Sequence, residues 1–312
     1  MPEFQVPPHR NLAGYGPKPP HARWPDDARV AVSLVLNVEE GSERAVSRGD
    51  RVNEPVYDMV EAIEGSPNLT MESHFDYGTR AGYWRIVRVL ERYRATCTVN
   101  ACAEALALSP WLARDVVARG FEVACHGYRW MTSLGMTEAE EREWIDRAVK
   151  TITDVCGARP VGWHTRCPHT PNTRRLLAQE GGFVYDSDAY DDDLPYLIDV
   201  GGGRQHVVLP YSLDTNDMRF QRPEAGFVRA SDFAEYVIDA FDWLWEEGAT
   251  TPRMMTIGLH LRTIGRPARI GGLDRVLRHV TGKGGAWIAR RADIARHWLR
   301  LHGRGVSPAG AW

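Results

Sequence analysis

Strand-like apolar runs recur along this chain, with a helix-like segment in most gaps, and that alternation allows few architectures. The runs are ARVAVSLVLN (28–37), ATCTVNAC (95–102), FEVAC (121–125), VGWHT (161–165), FVYDSD (183–188), HVVLPYSL (206–213), RMMTIGLHL (253–261) and AWIARR (286–291). Between them AGYWRIVRVLERY (81–93), EALALSPWLARDVVARG (104–120), TEAEEREWIDRAVKTITDVC (137–156), NTRRLLAQEGG (172–182) and ASDFAEYVIDAFDWLWEEG (230–248) read as helices. Thr137, Asn172 and Ser231 are the expected N-caps, and Gly120 and Gly181 the stops. Short polar side chains accept from the free N–H groups of a first turn, and glycine takes the left-handed conformation that ends a helix. ESHFDYGTR (72–80) is expected as a loop.

About seven or eight strands separated by helices predict an α/β fold, a distorted or incomplete (β/α) barrel in one domain. No glycine-rich fingerprint follows the first run, which argues against a doubly wound dinucleotide-binding sheet. The expected boundaries are an extended arm over 1–27, rich in Pro, Gly and His, the barrel over 28–302, and a tail over 303–312.

A net charge of −3 gives no general attraction to nucleic acid or an anionic membrane. No apolar run approaches the roughly 20 residues that span a bilayer. The N-terminal stretch MPEFQVPPHRNLAGYGPKPP lacks the charged-then-apolar pattern of a signal peptide, so a cytoplasmic location is expected. The 5 cysteines form no C-x-x-C pair and no zinc-finger spacing, and most are expected as small buried hydrophobes.

In a parallel barrel, chemistry gathers where strands end. Here the first run ends in Glu39-Glu40, the third in His126, the fourth in His164-Thr165-Arg166-Cys167-Pro168-His169 and the fifth in Asp186-Ser187-Asp188; the seventh carries His260, with Arg262 beyond. Carboxylates, imidazoles and an arginine converging on one mouth can perform acid/base hydrolysis with electrostatic stabilisation of an oxyanion. The acidic stretch from Asp186 to Asp193 is expected as a capping or interface loop, and Arg174 and Arg175 as outward-pairing residues that open a helix.

Several stretches in order carry a resemblance: ESHFDYGTRAGYWR, CHGYRWM, PNTRRLLAQEGGFVYDSDAYDDDLPY, GLHLRTIGRPARIGGLDRVL and RRADIARHW. The chain resembles the polysaccharide deacetylase (NodB-homology) superfamily, whose fold is a distorted (β/α)7 barrel. Within it the chain is similar to the branch of metal-independent allantoinases and cyclic imide hydrolases. Zinc-dependent members end the first strand in an Asp-Asp pair, and Glu39 and Glu40 take those places. Their His-x-x-x-His pair becomes His126 and Trp130. A catalytic zinc takes three protein ligands plus water, so the resemblance implies no metal and no other cofactor unless His74, His164 or His169 restores the missing ligand. The Arg-x-Pro-aromatic motif survives as RCPH, with Arg166 in the arginine place and His169 in the aromatic place, while the loop HTRCPH before PNTRR differs from the one usual in the allantoinase-like branch.

The activity that the resemblance implies is hydrolysis of a C–N bond in a small cyclic ureide or imide. Glu39 is the expected base, with Glu40 beside it; His126 and Arg166 are the oxyanion donors and His260 is the acid. Trp130, Glu72, His74, Tyr77, His164 and His169 are the expected substrate-binding residues, with Trp130 stacking on a flat ring. The implied partner is a small cyclic amide, and the implied assembly a homo-oligomer, a tetramer by analogy, working in purine catabolism. The competing readings are a cyclic imide hydrolase, a zinc-dependent deacetylase of N-acetylated sugars or peptidoglycan, and, outside enzymes, a barrel that has kept only binding.

Overall fold

The computed structural model of the protein describes residues 10–56, 64–201, 203–222 and 226–303. The first nine residues of the expected arm and all but the first residue of the expected tail lie outside them. The sheet is organised around β1 (Val30–Val38), in which every residue is buried. A strand can be apolar throughout only when both its faces are covered. β8 (Arg253–His260) runs parallel along one side of β1, from Val30 opposite Arg253 to Asn37 opposite His260. On the other side, β2 (Thr98–Ala101) pairs with its upper half and β9 (Ala286–Ile288) with its lower half. The sheet then continues through β3 (Glu122–Cys125), β4 (Gly162–Trp163), β5 (Tyr185–Asp186) and β7 (Gln205–Val208) to β6 (Tyr196–Asp199) at the edge. All pairings are parallel except β6 with β7. The result is a curled, mostly parallel sheet with helices packed on it, the distorted (β/α) barrel that the alternation predicts.

The helices are α1 (Leu69–Tyr77), α2 (Tyr83–Arg92), α3 (Ala103–Leu108), α4 (Pro110–Ala118), α5 (Glu138–Cys156), α6 (Thr173–Glu180), α7 (Ala230–Glu247), α8 (Pro267–Lys283) and α9 (Arg291–His302). Among the described residues no helix is long and apolar enough to cross a membrane. The helix expected over 104–120 is two, because Pro110 cannot continue α3 and opens α4 instead. The loop expected over 72–80 is largely α1, capped by Asn68 and buried through Met71 and Phe75, followed by a π-helical turn at Gly78–Gly82. Thr137 caps α5 in a full capping box with Glu140. Neither Asn172 nor Ser231 caps: Asn172 makes no side-chain cap, and α7 begins before Ser231, with Asp232 accepting from the N–H groups of Val228 and Arg229. Beyond Arg10, the arm lies on the body of the domain. Trp24 is buried and donates to the Arg253 carbonyl, and His297 of α9 reaches the Ala22 carbonyl.

Candidate active site

The register brings the ends of β1, β2, β3 and β8 level, and four side chains meet there. Glu39 follows β1, His126 follows β3, His260 ends β8 and Arg262 lies just beyond it; each is at most 4 % exposed. Glu39 Oε1 is 3.5 Å from His126 Nε2 and 3.4 Å from His260 Nε2. The other oxygen, Oε2, is 2.7 Å from Arg262 Nη1, which is also 3.5 Å from Glu40 Oε1. Close as these charges are, Glu39 Oε2, Glu40 Oε1 and Arg262 Nη1 are buried without a well-aligned hydrogen bond.

Burial alone would raise the Glu39 carboxyl, but Arg262, His260 and His126 outweigh it and hold it well below the usual carboxylate range. Glu40 goes the other way, raised by burial and by the neighbouring Glu39 charge. His260 is pushed up to about 9: burial opposes its charge, but Glu39 and Asp217 prevail. At neutral pH it is therefore an imidazolium. Asp217 accepts from His260 Nδ1 at 2.6 Å, from the His260 N–H at 2.8 Å and from the Ile264 N–H at 3.0 Å. It is delivered by an isolated bridge between Asn216 and Gly258 of β8. A Cβ on Gly258 would fall 2.3 Å from the Asn216 amide, so only glycine admits this approach.

The expected site residues divide into those the fold gathers and those it sends elsewhere. Glu39, Glu40, His126 and His260 converge. His164 stacks on His126 with ring centres 5.2 Å apart and the planes 9° from parallel, and on its far side meets Tyr211 at 4.4 Å. Arg166 does not join Glu39. It pairs with Glu54 at 2.6 Å, donates to the Trp130 carbonyl and lies 3.8 Å over the Trp130 ring. The arginine at Glu39 is Arg262, which also sits 5.0 Å from Trp130 and 4.3 Å from Phe75. The expected open stacking face of Trp130 is thus replaced by a cation–π contact with Arg166. His74 meets Arg266 at 3.0 Å, and Tyr77 receives Arg85 and lies under Arg266 at 3.6 Å, so both tie α1 to the turn after β8. Glu72 is half-buried on α1 and His169 is exposed on the loop after β4. Arg174, expected to pair outward, turns inward onto Asp186 at 2.8 Å, while Arg175 pairs with Glu138 at the surface.

Two site residues have weak or no signatures in the sequence. Arg262 stands two residues after His260, in the turn beyond the end of β8, where no strand periodicity fixes its face. Asp217 has no local signal, because it is brought in by the bridge to Gly258. The zinc implied for the family does not fit this set. Trp130 occupies the second histidine's place, and the fixed charge of Arg262 lies where a cation beside Glu39 and Glu40 would be repelled. Among the described residues no three His, Cys, Asp or Glu side chains are grouped to hold a metal ion.

A curled, mostly parallel sheet with a buried carboxylate between two imidazoles at its strand ends holds the groups that acid/base hydrolysis needs. The polysaccharide deacetylase family model matches residues 66–185. A fission-yeast protein (Schizosaccharomyces pombe) described as "Putative polysaccharide deacetylase" is 36% identical over 94% of this chain and 98% of its own. A crystal structure described as "probable Polysaccharide deacetylase from Pseudomonas aeruginosa PAO1" superposes with a TM-score of 0.91 at 48% identity, covering 95% of this chain and 99% of that one. The crystal structure of Puue allantoinase does so at 0.91 and 46% identity, covering 96% and 99%. The chain belongs to the polysaccharide deacetylase family, in its allantoinase-like branch. It is accordingly a hydrolase acting on carbon–nitrogen bonds other than peptide bonds.

Proposed function

We propose that this enzyme opens the ring of a small cyclic ureide or imide by hydrolysing a C–N bond, and does so without a metal. Allantoin is the first candidate, and succinimide or a hydantoin relative the next. The observation that carries this reading is Arg262. It sets a permanent positive charge 2.7 Å from Glu39 and 3.5 Å from Glu40, beside the two positions whose carboxylates a zinc-dependent relative would use. The likeness to an allantoinase over nearly the whole chain supports the substrate class.

Ring opening needs a water aimed at the carbonyl carbon, positive charge beside the developing oxyanion, and a proton for the leaving nitrogen. Glu39, held anionic, orients the water. Arg262 supplies fixed positive charge in a buried setting, where it acts strongly on a developing negative charge. His260 keeps its proton at neutral pH, and Asp217 keeps the ring aimed, so that Nε2–H can protonate the leaving nitrogen. The same reading carries a cytoplasmic homotetramer acting in purine catabolism.

The deciding experiment is a hydrolysis panel of allantoin, hydantoin, succinimide and N-acetylglucosamine oligomers, with and without chelator. Turnover of a cyclic substrate that is indifferent to chelator is expected. Activity confined to the N-acetyl sugars, abolished by chelator and restored by Zn²⁺, would overturn the proposal.

A further inference from the structure

Both imidazoles at the site have their tautomers set from behind. His126 Nδ1 faces the main-chain carbonyl oxygen of His164. A carbonyl only accepts, so this nitrogen carries the proton and donates it. The parallel His164 ring holds the plane of His126 in that orientation. In its uncharged form the ring then presents a bare lone pair at Nε2, 3.5 Å from Glu39 Oε1. His260 is wired the opposite way. Its Nδ1 donates to Asp217, and as an imidazolium it also carries a proton on Nε2, 3.4 Å from the same carboxylate oxygen. Glu39 Oε1 thus lies between one ring nitrogen that gives a proton and one that can only take one.

Two facing lone pairs repel unless a donor bridges them, and a water giving one hydrogen to His126 Nε2 and the other to Glu39 Oε1 meets that need. We propose that His126 is the catalytic base that deprotonates this water, and that Glu39 aims the water without accepting its proton. The assignment rests on the cyclic-amide reading of the site. It also removes His126 from the oxyanion donors, since the neutral ring turns no N–H toward the substrate. In the step, the water oxygen bonds to the ring carbonyl carbon, its O–H bond breaks and the proton goes to His126 Nε2. The carbonyl π pair moves onto oxygen. When that pair returns, the C–N bond breaks and the proton on His260 Nε2 goes to the leaving nitrogen. Ring imide or ureide and water have become a carboxylic acid and an open-chain amide or ureido group. His126 is left protonated and His260 neutral, and passage of one proton by way of Glu39 Oε1 restores the resting state.

The test begins with the ¹⁵N-histidine-labelled wild-type enzyme, the His126 signals being those lost in His126→Gln. Protonated Nδ1 and bare Nε2 are expected at neutral pH; a proton on Nε2 overturns the assignment. On whichever cyclic substrate the panel identifies, His126→Gln should lose about 10²–10⁴-fold in kcat with little change in KM. Added imidazole should restore part of the loss in His126→Gly. Retention of kcat within tenfold in His126→Gln would equally overturn it. If no cyclic substrate is turned over, the cyclic-amide reading fails, while the tautomer measurement still decides for or against His126.

Discussion

Two buried carboxylate–histidine–arginine clusters stand at strand ends of the same sheet, and they are built to different standards. Around Asp186 nearly every polar atom is used. Arg174 donates to both carboxylate oxygens at 2.8 and 2.9 Å, His206 lies 3.0 Å from Oδ2, and the Asp188 N–H donates to Oδ1 at 3.0 Å. Around Glu39 the histidines stop at 3.4 and 3.5 Å, and the arginine contact is close but poorly aligned. Residue types alone do not separate the two. A saturated cluster is structure, because it has nothing left to offer a ligand. An unsaturated buried one is costly to keep, and it leaves donors and acceptors available for water and substrate.

The sharpest test exchanges charge for its neutral isostere at Glu39 and removes the carboxylate altogether at Asp186. Glu39→Gln should lower kcat by about 10²–10³-fold, the scale for removing a preorganised electrostatic group. It should disturb stability less than Asp186→Ala, which strands Arg174 and His206 and should cost ~3–5 kcal/mol in denaturant unfolding, with kcat per folded molecule nearly unchanged. Equal losses of stability in the two variants would erase the distinction.

A subtler change is expected from Asp217→Asn. Activity that needs the His260 proton is present at neutral pH and falls as pH rises through about 9. Without Asp217 that alkaline limb should move down toward the ordinary imidazole value of about 6.5, as read from a pH–rate profile. The sign carries over to folding. The raised His260 contributes stability that is full below about 6.5 and is lost as pH climbs through about 9. The smallest effect belongs to the other arginine. Arg166→Ala breaks a partly exposed pair with Glu54 and should change kcat by less than about tenfold; a loss as large as that of Glu39→Gln would return Arg166 to the site.

Much of this is legible in the chain because β1 and β8 are long and strongly patterned. Their ends, Glu39 and His260, can be read as strand ends from sequence alone. The features that escape depend on contacts between distant segments. Arg166 and Arg262 both stand just beyond strand ends, and distant partners separate them: Arg166 meets Glu54, and Arg262 meets Glu39 and Glu40. Arg174 reads as an outward residue beside Arg175, yet one step along a helix changes the face and brings it to Asp186. The short α1 lacks a strong amphipathic stripe, and its two core anchors, Met71 and Phe75, are spaced by a single turn.

The π-helical turn after α1 carries a consequence for anyone who would reshape this pocket. A side chain at Gly78 would put its first carbon 2.2 Å from Glu40 Oε1, and one at Gly82 would put it 2.1 Å from the Leu261 carbonyl. The wall behind the carboxylates is bare main chain, at a depth that no rotamer change can relieve at Gly82. In a saturation library Gly82 should return glycine alone among active clones, whereas a replacement at Gly78 survives only if the Glu40 side chain shifts, at a cost in activity.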